Sequence, residues 1–177
     1  MFDRRIKVFG TAYHTGLEAD PAVCEERLIL EPEFKSNLLA YIDRFWTSAE
    51  VCDGLGLAPS RGVLFLGVPG TGKTQAVKHL LGRYPAVRKY YFLSDLVGQR
   101  GGGGDGFGDM VRSVSAWDTP AIAVVEDIDR LLEDGAISRQ FLLNVLDGVL
   151  RPRSPVLWIA TSNDPTGLDS SLLDRPG

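Results

Sequence analysis

The sequence has 177 residues, of which 44% are hydrophobic and 24% are charged, so it is long enough for one globular domain with a buried core. The net charge of −4 gives no overall basic surface, and we expect no nucleic-acid partner. No apolar run is long enough to cross a bilayer, and the first residues lack the apolar stretch of a secretory signal. With two cysteines in no metal-ligand spacing, we expect a cytoplasmic protein without a membrane segment.

The beginning of the chain is weakly patterned. The run Ile6–Phe9 alternates in polarity and predicts a small hairpin or strand. We expect residues 1–27 to form an N-terminal segment, a remnant of a preceding domain, and the main domain to span residues 28–177. Residues 33–52 then carry apolar side chains at helical spacing, which predicts a helix that packs through one face.

A glycine-rich stretch, Gly67–Thr74, lies between a predicted strand at residues 62–66 and a predicted helix at residues 74–81. We expect Gly82 and Pro85 to stop that helix. The stretch fits G-x-x-x-x-G-K-[ST], the P-loop or Walker A pattern, whose backbone N–H groups surround phosphate oxygens. The positive end of the following helix adds to this attraction.

Each residue type in the P-loop has a chemical reason. Glycines at 67, 70 and 72 permit positive φ and leave no Cβ between the backbone and a ligand. Lys73 is expected to reach the β- and γ-phosphates, and the Thr74 hydroxyl to ligate Mg²⁺. The predicted nucleotide-binding residues are Val68, Pro69, Gly70, Thr71, Gly72, Lys73, Thr74 and Gln75.

The middle of the chain alternates strands and helices. Residues 88–93 predict a strand and residues 109–117 a helix. Between them, seven of the eleven residues of Gly98–Gly108 are glycine, which predicts a mobile segment without regular structure.

The second half of the chain brings two more strands. The apolar run Ala121–Val125 predicts a central buried strand that ends in Glu126 and Asp127. A helix at residues 138–150 and a strand at 155–160 follow, and Asn163 comes just after that strand. This alternation predicts an α/β fold, a three-layer sandwich with a mainly parallel sheet and helices on both faces.

Parallel strands place their carboxyl ends at one edge of the sheet, where ligands bind. The P-loop, the acidic pair Glu126-Asp127 and Asn163 all follow strands, so we expect them to converge on one nucleotide. A carboxylate directly after a buried strand is costly without a cation, and Mg²⁺ held against Thr74 would supply one.

These motifs, in this order and spacing, resemble the AAA family of P-loop ATPases. The segments at residues 143–148 and 172–177 look like further elements of that family. The resemblance implies that Lys73 and Thr74 bind phosphates and Mg²⁺, that Glu126 is the metal-side carboxylate, and that Asp127 is the catalytic one. It also implies that Asn163 is sensor 1, which helps to place the attacking water. The family usually has Asp before Glu, and the inverted order here is similar to the Bcs1-type subgroup, as is the segment at residues 93–95.

The chain departs from the family at two further places. The glycine run occupies the usual position of a pore loop, and its one aromatic residue is Phe107, so a substrate-gripping loop and a flexible surface loop stay open as alternatives. The sequence stops at Gly177, ahead of the family's trans-acting arginine, last strand and helical lid. We therefore expect the lid to be absent and ATP hydrolysis by these residues alone to be slow. We also expect the P-loop strand to have an open edge, unless Ile6–Phe9 pairs with it. Arg175 precedes the usual position of the arginine and is not assigned that role.

The function implied by the resemblance is Mg²⁺-dependent ATP hydrolysis. We expect it to drive the remodelling or translocation of a protein substrate within a homo-oligomeric, hexameric ring. One alternative is a non-hydrolysing nucleotide switch or scaffold subunit, motivated by the inverted acidic pair and the missing arginine. The other is a small-molecule P-loop kinase, although the sequence shows neither an acceptor pocket nor an arginine-rich lid.

Overall fold

The computed structural model describes residues 5–9, 16–18, 30–55, 59–84, 86–92, 106–116, 118–135, 137–146 and 152–164. The strands in those residues are β1 (Arg5–Phe9), β2 (Gly16–Glu18), β3 (Ser60–Leu66), β4 (Arg88–Phe92), β5 (Ala121–Val125) and β6 (Val156–Ser162). The helices are α1 (Pro32–Asp53), α2 (Lys73–Arg83), α3 (Gly106–Ala116), α4 (Ile128–Glu133) and α5 (Arg139–Leu146). None of these helices combines the length and the apolar composition that crossing a membrane requires.

All six strands form one sheet in the order β2-β1-β4-β5-β6-β3. The pairs β1–β4, β4–β5, β5–β6 and β6–β3 are parallel, and β2 runs antiparallel to β1 at one edge. The prediction of a mainly parallel sheet is therefore confirmed. The register is continuous across the centre, where Val124 of β5 lies beside Tyr91 of β4 and Ile159 of β6.

Helices cover both faces of the sheet, which confirms the three-layer α/β sandwich. On one face, α1 and α2 pack against alternate residues of the sheet in a core made of Ile42, Phe45, Phe65, Ala76, Val77, Leu80, Leu81, Ile122, Val124, Leu157 and Ile159. On the other face, α3, α4 and α5 pack through a second core that includes Phe107, Met110, Ile128, Leu131, Leu142 and Val145. Every residue of β5 is buried because each face of this strand meets one of the two cores.

The glycine run was expected to lack regular structure, and this prediction is wrong at its end. Gly106, Phe107 and Gly108 form the first turn of α3. The Phe107 side chain is 1% exposed and packs edge-on against Phe92, with ring centroids 5.6 Å apart. Burying an aromatic ring stabilises the fold by more than the roughly 1 kcal/mol that a glycine costs in a helix. Phe107 is thus a core residue and not the aromatic of a substrate-gripping loop, while residues 98–105 lie outside the described residues.

Several predicted boundaries shift by a few residues. Gly82 was expected to stop the P-loop helix, but α2 continues through it to Arg83. The strand predicted at 155–160 continues to Ser162 because β6 pairs with β3 along its whole length. The short helix α4 was not predicted, since its six residues are too few to show helical periodicity.

The N-terminal strand joins the main sheet. Residues Ile6–Phe9 pair in parallel with Lys89–Phe92 of β4. An edge-covering role for Ile6–Phe9 beside β3 is therefore wrong, because β1 and β3 lie toward opposite sides of the sheet. The division of the chain after residue 27 stays a prediction. The family-like segment 172–177, including Arg175, and residues 93–95 lie outside the described part of the chain.

Candidate functional site

The P-loop lies at the carboxyl end of β3 and leads directly into α2. Gly70 and Gly72 have φ values of 84° and 89°, a region that side chains with a Cβ rarely adopt. A Cβ at Gly67 would lie 3.0 Å from Thr71 Oγ1, a tight contact that would require the threonine side chain to shift by a few tenths of an ångström. The Gly67 N–H donates to the Ser162 carbonyl at 3.3 Å, which attaches the start of the loop to β6.

Two side chains of the P-loop donate hydrogen bonds to the carbonyl groups of the loop itself. Lys73 Nζ donates to the carbonyl oxygens of Gly67 at 2.5 Å and Val68 at 3.1 Å. Thr71 Oγ1 also donates to the Val68 carbonyl, at 2.9 Å. The Lys73 ammonium is thereby held across the mouth of the loop, where an anion would meet it.

The beginning of α2 is suited to an anion. Gly72 is the N-cap residue and has no side chain to bond to the first N–H groups, and the first turn carries no acidic residue. These N–H groups and the positive end of the helix dipole favour a phosphate. Thr74, on the first turn, is exposed and Gln75 is half-buried, so their side chains can be reached from solvent.

The acidic pair follows β5, and its second member has an unusual backbone. Asp127 adopts φ 51° and ψ 52°, the left-handed region, and is the one non-glycine residue with positive φ in the described part of the chain. Asp and Asn enter this region more readily than other residues with side chains. Asp127 is therefore held in a set orientation at the start of α4.

Three hydrogen bonds connect the acidic segment with the end of β6. The Asp127 N–H donates to Thr161 Oγ1 at 3.0 Å, and Asn163 Nδ2 donates to Asp127 Oδ1 at 2.8 Å. The Asn163 N–H donates to Oδ1 of the buried Asp129 at 3.4 Å. The catalytic carboxylate predicted from β5 and the amide predicted from β6 are thus in direct contact.

Glu126 lies beside an aromatic residue of the neighbouring strand. Its Oε1 is buried and has no hydrogen-bond partner among the described residues. Burial raises the pKa of Tyr91, as do the negative charges of Glu126 and Asp127. The phenol therefore keeps its proton at neutral pH.

The residues present fit a magnesium ion. A buried carboxylate oxygen without a donor, such as Glu126 Oε1, is costly unless it meets a cation. In the described residues no three His, Cys, Asp or Glu side chains lie close enough together to hold a metal by themselves. Mg²⁺ usually binds one or two carboxylates together with water and phosphate oxygens.

The structure brings the side chains of Asn163 and Asp127 into direct contact. Gly67 at the start of the P-loop, Asn163 and Asp127 are connected through β6, and Glu126 precedes Asp127. Sequence reasoning missed the contributions of Thr161, Asp129 and Tyr91. Thr161 and Asp129 belong to the segments that carry the family resemblance, whereas nothing near Tyr91 in the sequence points to the site.

Comparisons with known proteins agree with this geometry. A sequence model of the family described as "ATPase family associated with various cellular activities (AAA)" matches residues 63–177. The chain is 32% identical to the proteasome-activating nucleotidase of Methanosarcina mazei over 142 residues, which cover 74% of this chain and 33% of that relative. It is 29% identical to the 26S proteasome regulatory subunit 4 homolog of Schizosaccharomyces pombe over 142 residues, covering 74% of this chain and 32% of the relative.

A third relative is the ATPase family AAA domain-containing protein FIGL1 of Arabidopsis thaliana, which is 31% identical over 128 residues, covering 67% of this chain and 19% of that protein. The chain thus spans a third or less of the length of these curated relatives. The similarity in acidic-pair order to the Bcs1-type subgroup stays a prediction. Because the family match runs from β3 through the P-loop, the acidic pair and Asn163, the chain belongs to the AAA family of ATPases.

Proposed function

We propose that this chain binds ATP with Mg²⁺ and hydrolyses the bond to the γ-phosphate. The observation that carries the proposal is the 2.8 Å hydrogen bond from Asn163 Nδ2 to Asp127 Oδ1, at the strand end that also anchors the P-loop. A carboxylate and an amide placed beside a phosphate loop are the groups that can orient and deprotonate an attacking water.

The P-loop supplies nucleotide binding. The N–H groups of residues 68–75 would surround the phosphates, and Lys73 would exchange its bonds to the loop carbonyls for charge-assisted bonds to phosphate oxygens. Because the glycine backbone and the helix end are already in place, the reorganisation on binding would be mainly that of the Lys73 side chain.

Thr74 and Glu126 would hold Mg²⁺. When bound, the ion neutralises charge on the phosphate oxygens. Glu126 Oε1 gains in Mg²⁺ the partner that the described residues do not provide.

Asp127 is proposed as the general base or water-orienting carboxylate. Asp is one methylene shorter than the Glu usual in the family, so its position depends strongly on the backbone. The left-handed conformation and the bonds from Asn163 and to Thr161 fix that position. This arrangement favours hydrolysis over a purely non-hydrolysing switch.

The wider role is proposed from the family resemblance. ATPases of the AAA family typically form hexameric rings that act on proteins. Two of the relatives carry names that associate them with the proteasome. We propose that the protein containing this module works as a homo-oligomer on a protein substrate.

The proposal is tested with Asp127→Asn. Asn keeps an oxygen acceptor for Asn163 and tolerates the left-handed backbone, so the fold and ATP binding should be retained. Steady-state turnover should fall by about 10²–10⁴-fold, the usual contribution of a general base. Binding without turnover in the unmodified chain would support the switch or scaffold alternative. Phosphate transfer to a small molecule would support the kinase alternative.

A further inference from the structure

Strand β6 continues beyond the end of its pairing with β5. The parallel pairing of these two strands ends where Val125 lies beside Ala160, whereas β6 stays paired with β3 as far as Ser162. Thr161 is the first residue of β6 after the pairing with β5 ends, and it is only 2% exposed. It therefore lies where the acidic segment leaves the sheet, and it is too deeply buried to contact a nucleotide.

The Thr161 hydroxyl takes the place of a main-chain acceptor for the acidic segment. Thr161 Oγ1 accepts the Asp127 N–H at 3.0 Å. Asp127 is the N-cap residue of α4, and the first N–H groups of a helix have no acceptor within that helix. The Asp127 side chain makes no capping bond of its own. The bond to Thr161 therefore satisfies an N–H group that α4 cannot satisfy internally.

This bond supports an unusual backbone conformation at the residue that carries the proposed catalytic carboxylate. Asp127 has φ 51° and ψ 52°, in the left-handed region. An N–H group without an acceptor is costly away from water, and the backbone would relax toward the more populated right-handed or extended regions. Such a rotation would turn the Asp127 carboxylate away from Asn163, whose Nδ2 donates to Oδ1 at 2.8 Å. The hydroxyl therefore acts on the carboxylate through the backbone.

We propose that Thr161 is a positioning residue, which holds the Asp127 carboxylate in the orientation for ATP hydrolysis by accepting the Asp127 N–H. The inference rests on the proposed function, in which Asp127 is the general base or water-orienting carboxylate. A residue that acts in this way changes the rate of the chemical step and leaves nucleotide affinity unchanged. The Thr161 hydroxyl is bonded to the acidic segment and not to the P-loop, which agrees with that separation.

The test compares Thr161→Val with Thr161→Ser in a single-turnover ATPase assay. Val keeps the branched shape of the side chain but has no acceptor, whereas Ser keeps the hydroxyl. The rate constant for hydrolysis should fall by about 5- to 30-fold in Thr161→Val, the effect of leaving one buried donor without its acceptor. Thr161→Ser should retain most of the rate. The affinity for a fluorescent ATP analogue should be the same in both variants and in the unmodified chain.

Amide hydrogen exchange at Asp127 reports the bond independently of activity. The Asp127 N–H should exchange faster in Thr161→Val than in Thr161→Ser or the unmodified chain. The matched control is Thr119→Val, which removes a buried hydroxyl without a partner among the described residues, just before the start of β5 and at the other end of that strand from Asp127. It should leave both the hydrolysis rate and the exchange at Asp127 unchanged.

A double-mutant cycle shows whether Thr161 acts through Asp127. If it does, Thr161→Val should have no further effect on the single-turnover rate once Asp127→Asn is present. Melting temperatures of all variants report losses of packing separately. If Thr161→Val does not fold at the assay temperature, Thr161→Ala takes its place in every comparison.

Failure of the proposed function and failure of this inference give different results. An unmodified chain that hydrolyses no ATP would overturn the proposed function and the inference with it. In a chain that does hydrolyse ATP, three results would overturn the inference alone. These are a full rate in Thr161→Val, an equal loss of rate in Thr161→Ser or Thr119→Val, and an undiminished effect of Thr161→Val in the presence of Asp127→Asn.

Discussion

At the scale of single residues, the site depends on side chains whose positions are set by the backbone. Asp127 lies in the left-handed region, which costs most residues with a side chain about 1–2 kcal/mol. The hydrogen bonds that this residue makes with the Thr161 hydroxyl and the Asn163 amide offset that cost. Lys73 is similarly held, by two carbonyl oxygens of its own loop. The arrangement around Asp127 is therefore formed before a nucleotide arrives, whereas Lys73 would exchange its carbonyl partners for phosphate oxygens.

Replacing Lys73 tests the phosphate site. In Lys73→Ala, the affinity for a fluorescent ATP analogue should fall by about 10- to 100-fold, because a charged hydrogen-bond donor is lost. Lys78→Ala is the matched control, since it removes the same charge from an exposed position on the same helix. Equal affinities for the two variants would show that the loop is not the nucleotide site.

At the scale of elements, α1 is hydrogen-bonded to the C-terminal end of the P-loop helix α2. Asp43 of α1 accepts hydrogen bonds from Arg83 at 2.8 Å and from the Tyr84 hydroxyl at 2.6 Å. The bond from Arg83 is the main cause that lowers the pKa of Asp43, whereas burial and the bond to Asp43 raise the pKa of Tyr84 to about 12. The phenol therefore stays protonated at neutral pH, and α1 and α2 are joined by both charge and hydrogen bonding.

The Asp43 contacts should make stability depend on pH. Because the folded-state pKa of Asp43 is lowered, its contribution is complete above the usual aspartate value of 3.8 and is lost as the pH falls below it. We expect Asp43→Asn to lower the free energy of unfolding at pH 7 by about 0.2–1 kcal/mol, since the pair is partly exposed. The difference between the variant and the unmodified chain should shrink when the pH is lowered through that range.

Thermal unfolding at several pH values measures this difference. Asp118→Asn is the control, because its ion pair with Arg153 is long, at 3.9 Å, and both side chains are mostly exposed. A constant difference between Asp43→Asn and the unmodified chain at all pH values would contradict the assignment.

The first turn of α3 gives a second test at this scale. Phe107→Ala should lower the free energy of unfolding by about 3–5 kcal/mol, the usual cost of truncating a buried aromatic ring. Phe34→Ala removes the same ring from a side chain that is 52% exposed and should change stability little. If Phe107→Ala kept full stability and lost only activity on a protein substrate, the residue would belong to a substrate-contacting loop after all.

At the scale of the whole molecule, the two edges of the sheet differ. The edge beyond β4 is extended by β1 and then by the antiparallel β2. At the other edge, β3 pairs with β6 and with no other strand of the described residues. Among the described residues, the strand that precedes the P-loop is therefore hydrogen-bonded to the sheet along one side. An unpaired strand edge can pair with another chain.

We expect the 177-residue chain to self-associate through β3. Static light scattering at rising concentration should show an increasing average mass, and added nucleotide should not abolish it, because the P-loop is separate from the paired length of the strand. A homogeneous monomer at all concentrations would contradict this expectation. A homogeneous hexamer would instead show that this edge is covered in another way.

The sequence by itself determined the features that depend only on residues close together in the chain. The P-loop occupies a short continuous stretch, and its chemistry follows from glycine backbone freedom and the positions of Lys73 and Thr74. The strand β5 could be predicted because an unbroken apolar run must be buried on both faces, and the carboxylates that follow it must then lie at the sheet edge. Order along the chain was therefore enough for the fold class and for the contact between Asp127 and Asn163.

Tertiary structure decided whatever depends on partners far away in the chain. The glycine-rich segment around Phe107 predicted a loop, but Gly106 and Gly108 are helical where Phe107 packs against Phe92, since burial outweighs local propensity. The place of β1 beside β4 follows from pairing between distant strands, which composition does not encode. Tyr91 lies on the same face of the sheet as Val124, two residues before Glu126, because two neighbouring strands are in one particular register, and register is set by how a whole sheet packs against its helices.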